Sequence, residues 1–132
     1  MLAPLQQISD DDGSIAILLV EDEPLVRLVL TDLLADAGYR VTEAGNADEA
    51  MTLLESRPDM RVIITDVRMP GTLDGFALAR FAADRRPGIG IVVTSGNALP
   101  RSGDLPEGAA FLPKPWRPSE LVERVRRLLE GS

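Results

Sequence analysis

Val62-Ile63-Ile64-Thr65 runs without interruption into Asp66, and Met69-Pro70-Gly71 turns the chain shortly afterwards. A short, continuous run rich in β-branched side chains suits a strand covered on both faces, as in a parallel sheet packed between helices. A carboxylate cannot join such a run in the interior unless it is paired or bound to a metal. Asp66 is therefore expected at the exposed end of its strand, where a site can be built. The same arrangement recurs along the chain. Ile15 to Val20 is followed at once by Glu21-Asp22-Glu23-Pro24, and Ile89 to Thr94 by Ser95-Gly96-Asn97. The short strand Ala110-Phe111-Leu112 lies just before Lys114, and Tyr39 to Ala44 reads as a weaker, alternating strand.

Helical signals fill the intervals. Val26, Val29, Leu30, Leu33, Leu34 and Ala37 recur at helical spacing between Pro24, which suits a first turn, and Gly38, which stops a helix. Asn46 with Glu49 forms a capping pair for a helix to about Ser56. Asp74-Gly75 introduces a helix over Phe76 to Arg85, and Pro118 opens a last one whose apolar face holds Leu121, Val122, Val125, Leu128 and Leu129. Strands alternating with helices make an α/β fold, a doubly wound parallel sheet with helices on both faces. It occupies residues 15–130 as one domain behind an N-terminal tail, residues 1–14. In this architecture ligands bind at the carboxyl ends of the strands. One interval breaks the pattern, because Pro100, Gly103, Pro106 and Gly108 interrupt the segment between Ser95 and Lys114. An interior proline costs a helix about 3 kcal/mol, so a fourth helix there is expected to be short or degraded.

The residue types present limit the chemistry. Histidine and cysteine are absent, which removes imidazole acid–base catalysis, His- or Cys-ligated zinc and disulfides. Of the 14 cationic side chains only Lys114 is a lysine, so a compact point charge stands where every other cation is a planar guanidinium. The net charge of −7 argues against direct binding to nucleic acid or anionic lipid. The longest apolar run, Ile15 to Val20, falls far short of the ~20 residues that span a bilayer. The N-terminus lacks the cationic start and apolar core of a signal peptide, so a cytoplasmic location is expected. In a parallel sheet Glu21, Asp22, Asp66, Ser95 and Lys114 share one edge. Two carboxylates about 4 Å apart repel by roughly 4 kcal/mol at an effective dielectric near 20, and one lysine does not neutralise three of them. An oxygen-only donor set points to a hard cation such as Mg²⁺. Asp66 is expected to act as a nucleophile that receives a phosphoryl group.

These stretches resemble the receiver domain of two-component response regulators. Leu18-Leu19-Val20-Glu21-Asp22-Glu23-Pro24 looks like that family's acidic pair, and Ile64-Thr65-Asp66-Val67-Arg68-Met69-Pro70-Gly71 like its phosphoacceptor segment. Val93-Thr94-Ser95-Gly96 looks like its hydroxyl position and Leu112-Pro113-Lys114-Pro115 like its lysine. The resemblance implies a flavodoxin-like, five-stranded sheet of order 2-1-3-4-5. It implies that Asp66 accepts phosphate from a histidine on a partner kinase or histidine phosphotransfer protein. Asp22 and Asp66 would ligate Mg²⁺ directly, with the backbone carbonyl of Arg68, and Glu21 would hold a coordinated water. Ser95 would bond one phosphoryl oxygen and Lys114 another, Phe111 would be the switch aromatic, and the Lys114–Pro115 bond would be cis. Three features depart from the family pattern. Glu21 stands where aspartate is usual, the turn from Pro70 to Gly75 is one residue longer, and the degraded fourth helix puts the usual output surface in question. That face is expected to be a mobile segment ordered by phosphorylation or by a partner.

The expected function is that of a stand-alone phosphoacceptor switch, a monomer or weak dimer that binds an unidentified output protein. It would be no enzyme beyond promoting its own phosphorylation and dephosphorylation, with neither nucleic acid nor membrane as partner. The alternatives are the receiver portion of a hybrid kinase and a phosphohydrolase with an aspartate nucleophile. The latter usually carries a second acid two residues after the nucleophile, where this chain has Arg68.

Overall fold

The apolar runs become the strands of one parallel sheet: β1 (Ala16–Val20), β2 (Arg40–Ala44), β3 (Met60–Asp66), β4 (Gly90–Ser95) and β5 (Ala110–Pro113). Their order is β2-β1-β3-β4-β5. Four helices connect or follow them: α1 (Pro24–Asp36), α2 (Ala47–Ser56), α3 (Gly75–Arg85) and α4 (Pro118–Glu130). The computed structural model describes residues 14–69, 71 and 73–131. The expected N-terminal tail lies outside these residues apart from Ser14, as do Pro70 and Thr72 of the long turn.

Side-chain alternation along the central strands builds two cores. Leu18, Val20, Ile63, Ile91 and Val93 pack with Ala50 and Leu54 of α2 and Leu78 and Ala82 of α3. Ile17, Leu19, Val62, Ile64 and Val92 point the other way, onto Leu30 and Leu34 of α1 and Leu121 and Val125 of α4. The expected caps are in place. Asn46 Oδ1 accepts from Glu49 N at 2.8 Å and Asp74 Oδ1 from Ala77 N at 2.9 Å. From β1 the chain winds through α1 to β2 on one side, then returns through α2 to β3 on the other. The crevice of this reversal lies between the carboxyl ends of β1 and β3, so Glu21-Asp22 and Asp66 flank it.

Two regions differ from the expected pattern. α1 has apolar residues on nearly all sides, and the sheet covers only the Leu30–Leu34 stripe. Val26 and Val29, which recur with them at helical spacing, are exposed with Leu25 and Leu28. Helical spacing cannot define one face when apolar residues occupy most positions. Between β4 and β5, residues 96–109 form turns and bends with no helix, so the fourth helix is missing rather than short. The segment is nonetheless tied down. Arg80 Nη1 donates to Asp104 O at 3.1 Å, Arg101 N donates to Asp104 Oδ2 at 2.7 Å, and Leu105 and Ala109 pack against the core beside α3. Among the described residues no helix is long and apolar enough to cross a membrane.

Candidate functional site

β3 delivers Asp66 as its last residue, with its side chain 14% exposed, less open than a strand-end acid was expected to be. Lys114 Nζ lies 2.9 Å from Asp66 Oδ2, and Arg68 N donates to Oδ1 at 3.3 Å. Lys114 reaches this position because β5 runs beside β4: Lys114 N donates to Ser95 O at 2.8 Å, and the Lys114–Pro115 bond is cis as expected. The start of α3 closes over the other side of Asp66. A Cβ on Gly75 would sit 2.1 Å from Asp66 O, and Gly75 N donates to Val67 O at 2.8 Å. Sequence reasoning placed Gly75 at a helix start but missed this approach. The available signal was a poor helix former directly inside a capped helix.

Glu21 is buried beyond the end of β1, and its Oε2 accepts from Glu23 N at 3.0 Å. Burial raises its pKa above the usual 4.5, and the Glu23 N–H opposes this. The negative charges of Asp66 and Asp22 add to the rise, while the Lys114 ammonium counters it. Glu21, Asp22, Asp66 and Lys114 therefore share one electrostatic neighbourhood, with Asp22 at its exposed rim. Glu23, by contrast, is the N-cap residue of α1 and uses its backbone.

This donor set fits a hard cation. Among the described residues the buried Glu21 carboxylate has no ion pair; it stands near two further acids, and the ammonium is already committed to Asp66. Among the described residues no three acidic side chains form a ready-made metal cage. The arrangement suits Mg²⁺, which takes one or two carboxylates and keeps several waters, better than a cation enclosed by protein oxygens.

Ser95 and Phe111 stand further back. Ser95 Oγ accepts from Ala98 N at 2.9 Å and Asn97 N at 3.3 Å, so the hydroxyl caps the loop and keeps its proton available for donation. Phe111 is half-buried and stacks on Phe76 of α3, with ring centroids 6.4 Å apart and planes at 28°. The structure thus pairs Asp66 with Lys114, buries Glu21 within electrostatic reach of both, leaves Asp22 exposed beside Glu21, and joins Ser95 to Lys114 through the backbone. Phe111 packs against the core beside α3.

The model of the response regulator receiver domain family matches residues 17–126. The chain belongs to that family. It is 35% identical over 116 residues to the response regulator receiver protein CpdR of Brucella abortus, a match covering 86% of this chain and 95% of CpdR. It is also 35% identical over 130 residues to the sensor kinase CckA of the same organism, covering 96% of this chain but only 14% of the kinase. The crystal structure of a response regulator receiver protein from Sinorhizobium medicae superposes with a TM-score of 0.85 at 31% identity, covering 89% of this chain and 96% of the other. The protein is a receiver domain of two-component systems, a family whose domains bind Mg²⁺ and interact with histidine kinases.

Proposed function

We propose that this receiver is a Mg²⁺-dependent switch in which Asp66 takes a phosphoryl group from a histidine of a kinase or histidine phosphotransfer protein. The observation that carries this is the Lys114 ammonium, 2.9 Å from Asp66 Oδ2. The chain's lone lysine meets the acid that ends the central strand. During transfer an Asp66 carboxylate oxygen bonds to phosphorus while the phosphorus–nitrogen bond to the donor histidine breaks, the electron pair staying on the imidazole. Lys114 then pairs with one phosphoryl oxygen and the Ser95 hydroxyl donates to another. Asp22, Asp66 and the Arg68 carbonyl would hold Mg²⁺, with Glu21 acting through a water; when bound, the ion offsets charge on the transferring oxygens. Phe111 follows the movement of Ser95.

A donor histidine has to approach across the rim where Asp22 lies. α1 starts two residues after Asp22 and presents Leu25, Leu28 and Val29 to solvent, 73%, 56% and 63% exposed. Their i, i+3, i+4 spacing puts them on one face, which we assign to the phosphodonor protein. The signal leaves through altered binding of an output protein, and no separate substrate is turned over. Arg68, exposed two residues beyond Asp66, offers no general acid. The match over 95% of CpdR favours a stand-alone receiver, for which we propose the bounds 15–130, a cytoplasmic location and a monomeric or weakly dimeric state. The similarity to CckA supports a second reading, the receiver portion of a longer kinase. A small phosphodonor such as acetyl phosphate should label the wild type in Mg²⁺ and leave Asp66→Asn unlabelled. Labelling that persists in that variant would move the acceptor elsewhere.

A further inference from the structure

The turn that carries Glu21 and Asp22 away from β1 is held by three contacts. Glu21 N donates to Ala44 O at 3.0 Å, Glu23 N to Glu21 Oε2 at 3.0 Å, and Arg27 Nη1 to Glu21 O at 2.7 Å. The same guanidinium donates from Nε to Glu43 Oε1 at 3.0 Å, on the penultimate residue of β2. Arg27 therefore ties the peptide between Glu21 and Asp22 to the neighbouring strand. Gly45 leaves room for this bridge, since a Cβ there would lie 3.2 Å from Arg27 Nη1. Asp22 itself is exposed, so the peptide that Arg27 holds, and no packing around the side chain, sets where its Cα–Cβ bond starts.

We propose that Arg27 is a positioning residue for the cation site: by gripping the Glu21 carbonyl oxygen and the Glu43 carboxylate together, it sets the direction of Asp22 and with it the affinity for Mg²⁺. The inference rests on the reading of Asp22 as a Mg²⁺ ligand. The bare charge of Arg27 works in the opposite sense. A fixed cation beside the acidic pair repels a divalent ion, so removing it strengthens Mg²⁺ binding if charge is all that Arg27 contributes. Losing an orienting contact behind a metal ligand weakens binding instead. The sign of the change separates the two roles.

Mg²⁺ titration by calorimetry at fixed ionic strength, with urea unfolding in EDTA run on the same samples, tests this. Arg27→Met keeps the aliphatic stem and removes every donor. It should remain cooperatively folded and bind Mg²⁺ about tenfold more weakly, at the low end for loss of an outer contact to a metal site. Arg27→Lys should recover part of the affinity, because an ammonium cannot present the two-pronged fork. Unchanged or tighter binding in Arg27→Met overturns the proposal. Should Arg27→Met fail to fold, Gly45→Ala replaces it, since the methyl crowds Nη1. Weaker binding by folded Gly45→Ala supports the role and equal binding overturns it. A wild type that binds no Mg²⁺, or Asp22→Asn binding as well as wild type, overturns the site reading and this inference with it. Wild-type binding that Asp22→Asn weakens and Arg27→Met does not would sink this inference alone.

Discussion

Glu21 is held in a position that suits a carboxylate poorly when no cation is bound. Burial raises its pKa above 4.5, and Asp66 and Asp22 add to that rise against the Glu23 N–H and Lys114. A folded-state pKa above the unfolded one means that the native state keeps a proton the unfolded chain has already released. This group's contribution to stability therefore falls as pH rises from the ordinary value through the raised one. Glu21→Gln preserves an acceptor for Glu23 N–H and removes the charge. In EDTA it should be more stable than wild type above neutral pH by urea unfolding, with the gap closing toward acid. Parallel pH profiles would show that the site does not strain this carboxylate. Gly75 makes a steric demand at the same scale. A methyl group 2.1 Å from Asp66 O cannot be accommodated without moving backbone, so Gly75→Ala should cost at least about 2 kcal/mol, an overpacking penalty. The folded fraction should also be phosphorylated more slowly than wild type, because Asp66 itself is displaced.

Elements depend on long side chains arriving from elsewhere. Arg86, just past α3, donates from Nη1 to Leu54 O at 3.3 Å and Arg57 O at 3.0 Å, and from Nη2 to Pro58 O at 2.7 Å and Met60 O at 3.0 Å. It collects carbonyls that the end of α2 and its turn into β3 would otherwise leave to water. Arg86→Ala should lose roughly 3 kcal/mol in urea unfolding, given the strength of charge-assisted bonds, and Arg86→Lys should regain less than half of that. Phosphorylation of the folded protein should hardly change, because this clasp joins the amino end of β3 and Asp66 lies at the other end. A loss below about 1 kcal/mol would mean that water serves these carbonyls equally well. Such clasps also mark the limit of what could be read from the chain. Val62 to Asp66, the Asn46–Glu49 pair and the prolines around residue 103 each declare themselves locally, by β-branched continuity, cap spacing or a missing N–H. The convergence of Glu21, Asp66 and Lys114 followed from placing those strands in parallel. Arg27 and Arg86 were not legible, because their partners, backbone carbonyls and the Glu43 carboxylate, are brought to them by the packing of other turns and strands, and no periodicity encodes them. For Gly75 the sequence offered only a poor helix former just inside a cap, with no sign of the backbone it meets. The exposed stripe of α1 was not legible for a related reason, since an excess of apolar positions hides which of them the sheet covers.

Across the whole molecule, the proposed switch requires a bond formed at Asp66 to be felt at a surface some distance away, and Ser95 is the connection we propose for it. Its Oγ caps the loop through Asn97 N and Ala98 N, while its carbonyl receives Lys114 N. In that proposal, turning the hydroxyl toward a phosphoryl oxygen would pull the cap from the start of residues 96–109. That segment has no helix of its own to hold it, and it is anchored at its far end by Arg80 on Asp104 and by Leu105 against the core. A segment held by a few side-chain contacts opens at lower free energy than a core strand. Amide exchange with and without beryllofluoride and Mg²⁺ should therefore change over residues 96–108, beginning at Asn97 and Ala98, while β1 and β3 stay protected in both states. Arg80→Ala should speed exchange around residues 101–105 in both states and leave the rate of Asp66 phosphorylation unaltered, because the anchor lies away from the carboxylate. Equal protection of residues 96–108 in the two states would take this segment out of the switch. The exposed face of α1 would then be the surface on which a partner could sense the phosphoryl group directly.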